Sequence, residues 1–218
     1  MAGAIPVYVE IGDKRVFASA IDWPGWSRSG KDEKVALEHL AAYAPRYAAV
    51  PKVARLDFAP GAKPAFKLVE RVRGNASTDF GVPGLPASSD AKPLSREEAE
   101  RICALLAASW KVFDMVVAAA PVELRKGPRG GGRDRDKIAD HIIDAESAYV
   151  TRLGLRLRSP TRQDVAAVRT WRKAIMDAIT ASAGGPQTGE KRWPPRYVVR
   201  RMAWHLLDHA WEIEDRSA

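Results

Sequence analysis

Cysteine is nearly absent from this chain: Cys103 stands alone among 218 residues. No disulfide can form within the chain, which fits a reducing compartment, the cytoplasm. Histidine is almost as scarce, with four residues. No apolar run in the sequence approaches the ~20 residues that cross a bilayer, so no membrane role is expected. The opening "MAGAIPVYVEIGDKRV" lacks a basic stretch leading into an apolar one, which argues against a secretory signal. Disorder is excluded by composition, since 46% of the residues are hydrophobic. Negative charge is in deficit, with 27 acidic against 35 basic residues and a net charge of +8. Such a surface attracts anions, whether nucleic acid, phosphorylated metabolites or carboxylates. An Arg- and Ala-rich composition accounts for the same balance equally well.

Residues 74–94, "GNASTDFGVPGLPASSDAKPL", are rich in Gly, Pro and Ser and have no periodicity. They read as a linker or a long ordered loop between two segments of different texture. Such a segment has room to lie over the mouth of the second domain, with Asp79 and Phe80 reaching toward it. Ahead of it, residues 1–73 mix strand and helix signals. "IPVYVEIG" alternates like a strand, "GDK" supplies a turn and "RVFASAIDW" reads as a second strand. "PGWSRSG" bends the chain and has room for a short third strand. "DEKVALEHLAAYAPRYAAV" has helical spacing, with Asp32 or Ser29 as its cap, and "AFKLVERV" at 65–72 returns to strand character. A small α+β domain results.

Residues 95–218 read as all helix. The first helix spans 95–120 and opens on a capping box, Ser95 with Glu98. The second spans 134–155 with Asp134 as cap, and the third 162–183 with Thr161 as cap. The fourth begins at Pro194 and Pro195, which suit a first turn, and runs to the end. Four amphipathic helices of similar length predict a four-helix bundle.

Three of the four histidines fall on the inner stripes of two of these helices. Met202, His205, Leu206, His209 and Ile213 follow the spacing of a buried face, and so do Ile138, His141, Ile142, Ala145 and Tyr149. His205 and His209 are four apart, close enough to share a metal ion, and a facing helix can bring His141 to them. Three imidazoles in an apolar core each need a polar partner, and one divalent ion supplies all three. Three ligands leave a coordination position open, as catalytic sites do. Zn²⁺ is the default, with Ni²⁺, Fe²⁺ and Mn²⁺ also compatible with imidazole. Leu206 excludes the H-E-x-x-H protease motif.

Around this set, Asp144, Asp208 and Glu212 are placed to accept the second ring N–H of a ligand. Arg201 and Tyr197, one and two turns before His205, are candidates to line the mouth and pair a carboxylate. In "RKGPRGGGRDRDK", Arg129 and Arg133, with Arg125 and Lys126, surround glycines just ahead of a helix and are candidates for an anion clamp. Cys103 has no histidine in sequence reach and reads as a small core residue.

Two resemblances follow from these residues. "AIDWPGWSRSGKDEKVALEHL" resembles the HicB-like fold of antitoxins over about residues 5–72. That resemblance implies a protein or nucleic-acid partner, although no helix-turn-helix or ribbon-helix-helix follows. The order His141, then His205 and His209 in "HLLDH", on the second and last of four helices, resembles the DinB/YfiT-like family of metal-binding bundles. That resemblance covers roughly residues 95–218 and implies these three ligands. It also implies S-transferase or isomerase chemistry with a low-molecular-weight thiol such as mycothiol or bacillithiol. The expectation is a metal-dependent enzyme acting on a small anionic substrate. The alternative is a partner-binding module with a metal-stabilised scaffold. A homodimer is compatible with either.

Overall fold

The computed structural model describes residues 3–127, 131–185 and 192–217. The chain is mixed α+β: a four-stranded sheet precedes a set of long helices. The strands are β1 (Ile5–Ile11), β2 (Val16–Ala20), β3 (Ser27–Gly30) and β4 (Phe66–Arg73), in the order β3-β2-β1-β4. The β1–β2 and β2–β3 pairs are antiparallel, while β4 returns parallel to β1. That return needs a crossover. It is made by α1 (Glu33–Ala42), α2 (Ala44–Tyr47) and α3 (Ala49–Ala54).

The single helix expected from "DEKVALEHLAAYAPRYAAV" is therefore three short ones. Asp32 caps the first through its side chain, as expected. Pro45 cannot donate within a continuing helix, so it sits in the first turn of α2, where its missing N–H costs nothing.

Period-two alternation gives β1 two faces, and both are buried. Val7 and Val9 pack with Ala18, Ala20, Leu40 and Tyr47 in a first core. Tyr8 and Glu10 point the other way and meet residues 74–94. That segment is not extended. It contains α4 (Ala76–Phe80), closed by an Asn75–Thr78 capping box, and a 3-10 turn at Ser88–Ala91. Glu10 is fully buried and accepts hydrogen bonds from the Thr78 hydroxyl and from the backbone N–H groups of Gly84 and Leu85. The Tyr8 hydroxyl donates to the Leu85 carbonyl. Asp79 accepts from the Lys14 N–H at the hairpin turn, and the Phe80 side chain is left exposed. Neither reaches the histidines, because the segment is spent covering the sheet.

Four long helices follow: α5 (Arg96–Ala119), α6 (Arg135–Leu153), α7 (Val165–Ala181) and α8 (Pro195–Ser217). The Ser95–Glu98 capping box forms at α5. The cap of α7 is Asp164 rather than Thr161: its carboxylate accepts from the Ala167 N–H. Asp134 precedes α6, but its side chain accepts from Leu124 N–H and Lys126 instead of capping the helix.

In composition α5 is long and apolar enough to cross a membrane, contrary to the reading of the sequence; here Leu105, Leu106, Trp110 and Phe113 on it are core residues. α8 packs against both α5 and α6, and α7 packs against α5. A second core, with Leu106, Ile142, Ile175, Met202 and Leu206, lies among these helices. Leu105 and Ala108 of α5 and Leu207 and Trp211 of α8 belong to the first core instead. Those two helices thereby join sheet and helices into one packed body.

One buried acid lies in the helical core without full satisfaction. Glu146 accepts the Trp110 indole N–H at 2.6 Å, while its other oxygen has no partner among the described residues. Burial pushes its pKa up to about 7 from an ordinary value of 4.5; the charge of Arg172 and the Trp110 hydrogen bond oppose the rise. The folded protein thus keeps this proton to higher pH than the unfolded chain does. Its contribution to stability is full below about 4.5 and is lost as the pH rises through about 7. In urea unfolding of the chelator-treated protein, Glu146→Gln should gain stability relative to wild type between pH 5 and pH 8. Parallel stability curves over that range would contradict the assignment.

Candidate metal centre

Two helices bring three imidazoles together. α6 supplies His141; α8 supplies His205 and His209, one turn apart on the same face. The ring centroids of His141 lie 5.1 Å from those of His205 and 5.3 Å from those of His209, and the α8 pair is 4.8 Å apart. One ring nitrogen from each residue falls within 4.8 Å of the others. His205 is buried, whereas His141 and His209 are half-buried, so the cluster has one side toward solvent. The fourth histidine, His39, is occupied locally: its Nδ1 lies 2.7 Å from the Ser29 carbonyl oxygen.

The hydrogen bonds around the cluster define which nitrogens are committed. His209 Nδ1 lies 2.7 Å from Glu212 Oε2, one turn along α8. Arg216 donates to the other oxygen of Glu212 at 2.6 Å. The hydrogen bond to His209 holds the Glu212 carboxyl below its usual range despite its burial, and Arg216 adds to the effect. With Nδ1 tied to a carboxylate, Nε2 of His209 is left for another partner. His205 Nδ1 is buried and has no partner among the described residues. Burial drives the His205 pKa down to about 2, with further lowering from the charges of His209, Arg201, His141 and Arg133. His141 is also lowered, first by burial and then by His209 and Arg133. His205 is therefore held as a neutral imidazole, the form that ligates.

Beside the cluster lies a cation with no ion pair among the described residues, which the buried Glu10 carboxylate meets only through its charge. Arg201, one turn before His205, is buried, and its guanidinium sits over the rings of Tyr149 at 5.1 Å and Trp204 at 4.6 Å. Its Nη1 is buried and unpartnered, and it makes no hydrogen bond among the described residues. Trp204 stacks on His205 with ring centroids 5.9 Å apart, and Tyr149 meets the same ring edge-on at 6.0 Å. Aromatic faces stabilise a desolvated guanidinium, yet they accept none of its N–H groups in the plane of the fork.

The residues expected at this site divide plainly. His141, His205 and His209 are brought together, with Glu212 hydrogen-bonded to one of them. Asp208 is drawn off to an ion pair with Arg28 of β3 at 2.8 Å. Asp144 is exposed and acts on His141 only through its charge. Tyr197 is not at a mouth: it is buried and donates its hydroxyl to the Pro83 carbonyl. Arg133 acts on His141 and His205 through its charge, and Arg129 lies outside the described residues. Arg125, which opens the Arg/Gly stretch, is strapped to the end of α8. Arg125 N–H donates to the Arg216 carbonyl, and Arg216 donates back to the Arg125 carbonyl.

Tyr149 and Trp204 went unassigned in the sequence. Tyr149 was already legible on the His141 stripe, eight residues on, and Trp204 adjoins His205.

No protein-family model, curated protein or solved structure matches this chain. The donor set itself fits a divalent ion. It is all imidazole, mutually close, neutral at His205, and includes an orphaned buried nitrogen that a cation would satisfy. Neighbouring ligands of a tetrahedral ion with ~2.1 Å bonds stand roughly 3.4 Å apart. A pair at the full 4.8 Å therefore closes by about 1.4 Å, which rotation of the rings supplies. Glu212→Ala frees the His209 ring and should weaken Zn²⁺ about 10–100-fold in competition with a chromophoric chelator. Unchanged affinity would remove Glu212 from the site.

Proposed function

We propose that residues 95–218 form a DinB-like four-helix bundle joined to a HicB-like α+β domain. We further propose that the protein is a divalent-metal-dependent enzyme acting on a small anionic substrate in the cytoplasm. His141, His205 and His209 would hold the ion, most simply Zn²⁺, with Ni²⁺, Fe²⁺ or Mn²⁺ as other occupants of an imidazole set. When bound, such an ion supplies Lewis acidity and ionises a coordinated thiol or water near neutral pH.

This chain's own residues do the rest. Glu212 orients the His209 ring and fixes its tautomer, and Arg216 holds Glu212 in place. Tyr149 and Trp204 keep water from one side of the cluster. Arg201 offers an anionic group a desolvated cation one turn from His205.

The observation that carries this reading is that His205 Nδ1 and Arg201 Nη1, one turn apart on α8, are buried and unsatisfied among the described residues, as is the indole Nε1 of Trp204 between them. A polar atom buried without a partner costs about 1–3 kcal/mol, and more when charged. A cation on one and an anion on the other relieve both. The partner-binding alternative has no comparable support: both faces of the central strand β1 are covered by the chain itself, and the exposed face of β4 carries Lys67, Val69, Arg71 and Arg73 with no unsatisfied buried group among the described residues. The low-molecular-weight thiol follows from the DinB resemblance and belongs to the same proposal.

Elemental analysis of the purified protein, followed by assays of thiol consumption with small anionic electrophiles, tests it. Wild type should hold one divalent ion per chain and consume thiol, and His205→Ala should do neither. Absence of stoichiometric metal from wild type, with no thermal stabilisation by Zn²⁺ or Ni²⁺, would overturn the reading.

A further inference from the structure

A cavity of about 710 Å³ opens between α5, α6 and α7, and no histidine lines it. α6 has two working faces. It turns His141 toward α8, while Ala139, Ile142 and Ile143 form a wall of this cavity. The opposite walls are Trp110 and Phe113 of α5 and Val168 and Met176 of α7. The volume lies within the ~300–1,000 Å³ of small-molecule pockets, and the lining is of their usual kind, mostly apolar with a few placed polar groups.

Those polar groups are nearly all cationic. Arg162 is neutralised by Asp136 and Asp140, Arg172 by Asp114 and Lys173 by Asp177. Lys111 and Arg169 have no carboxylate within ion-pair distance among the described residues, and both are exposed at the rim. The rim therefore keeps uncompensated positive charge over an apolar interior.

The wall itself is held rigidly. Arg172 lies over the Trp110 ring at 5.2 Å, and Trp110 donates to Glu146 behind it. Two buried atoms of this group, Arg172 Nε and Glu146 Oε2, have no hydrogen-bond partner among the described residues. An apolar wall fixed by polar atoms from behind is pre-organised for a ligand rather than collapsed onto itself.

We propose that this cavity binds a small anionic amphiphile, an acyl or aryl carboxylate. Its apolar part lies among Phe113, Ile142, Ile143 and Val168, and its carboxylate meets the cationic rim of Lys111 and Arg169. The site is separate from the histidine cluster and does not rest on its being a metal centre.

Isothermal titration calorimetry of the full chain with decanoate tests the proposal, with decyltrimethylammonium as the cationic counterpart. Wild type should bind one decanoate per chain and bind the ammonium at least ten-fold more weakly. Lys111→Glu combined with Arg169→Glu, both exposed positions, should weaken decanoate at least ten-fold and leave the thermal midpoint and the metal content of the protein unchanged. Val168→Trp should fill the cavity and abolish binding; if that variant does not fold, the charge variant decides. The proposal falls if wild type binds no decanoate, if the ammonium binds as well, or if the charge-reversed variant binds undiminished. It falls also if the cavity is a self-interface, shown by a wild-type dimer that Val168→Trp splits and decanoate does not enter.

Discussion

The structure turns on a helix that is surrounded. From Tyr197 to Leu207 every residue of α8 is buried, among the sheet, residues 74–94, α5 and α6. A helix enclosed in this way has no solvent face on which to place its polar side chains, so each must find a partner inside. Arg200 finds Asp90 from residues 74–94, and the pair is buried together. His209 finds Glu212. Removing Asp90 would strand a buried guanidinium, a loss on the order of 3–5 kcal/mol. Among the described residues Arg200 Nε, Trp204 Nε1 and Arg216 Nη2 lack a partner, but Arg200 and Arg216 are paired through their other nitrogens. Arg201 and His205, one turn apart, are the ionisable groups of α8 that make no hydrogen bond at all among these residues. Function is read from that remainder.

Much of this was visible in the residues, for local reasons. The ends of the long helices follow caps and prolines that act within one turn, such as Ser95 with Glu98 and Pro195. The three histidines fall correctly because 3.6-residue periodicity assigns a face without reference to any neighbour. What escaped depends on residues distant in sequence. Asp208 and Glu212 stand equally near the histidine pair along α8. Arg28, 180 residues away from Asp208, captures the first and leaves the second for His209. Residues 74–94 look like a tether because their composition has no periodicity. Their role is set by Glu10 and Arg200, buried acid and buried base, which need the donors and the carboxylate that this stretch carries. Tyr197 failed as a mouth residue for the same reason: one apolar stripe is legible on a helical wheel, and all-round burial is not.

The histidine cluster and the apolar cavity draw on different faces of the helices. α6 and α8 assemble polar atoms around the imidazoles, while α5, α6 and α7 enclose an apolar space with a basic rim. α6 belongs to both, so a ligand that moves Ile142 or Ile143 also moves the helix bearing His141. The excess of basic residues, uninformative as a bulk number, is spent locally: Arg201 and Arg133 beside the histidines, Lys111 and Arg169 at the cavity rim.

The central claim is that one ion sits among His141, His205 and His209. X-ray absorption fine structure of the Zn²⁺-loaded protein addresses it directly. The account predicts three nitrogen scatterers at about 2.0–2.1 Å with the multiple scattering of imidazole rings, completed by one light-atom or thiolate ligand. A shell made of oxygen alone, or the same spectrum from the His141→Ala variant, would contradict it.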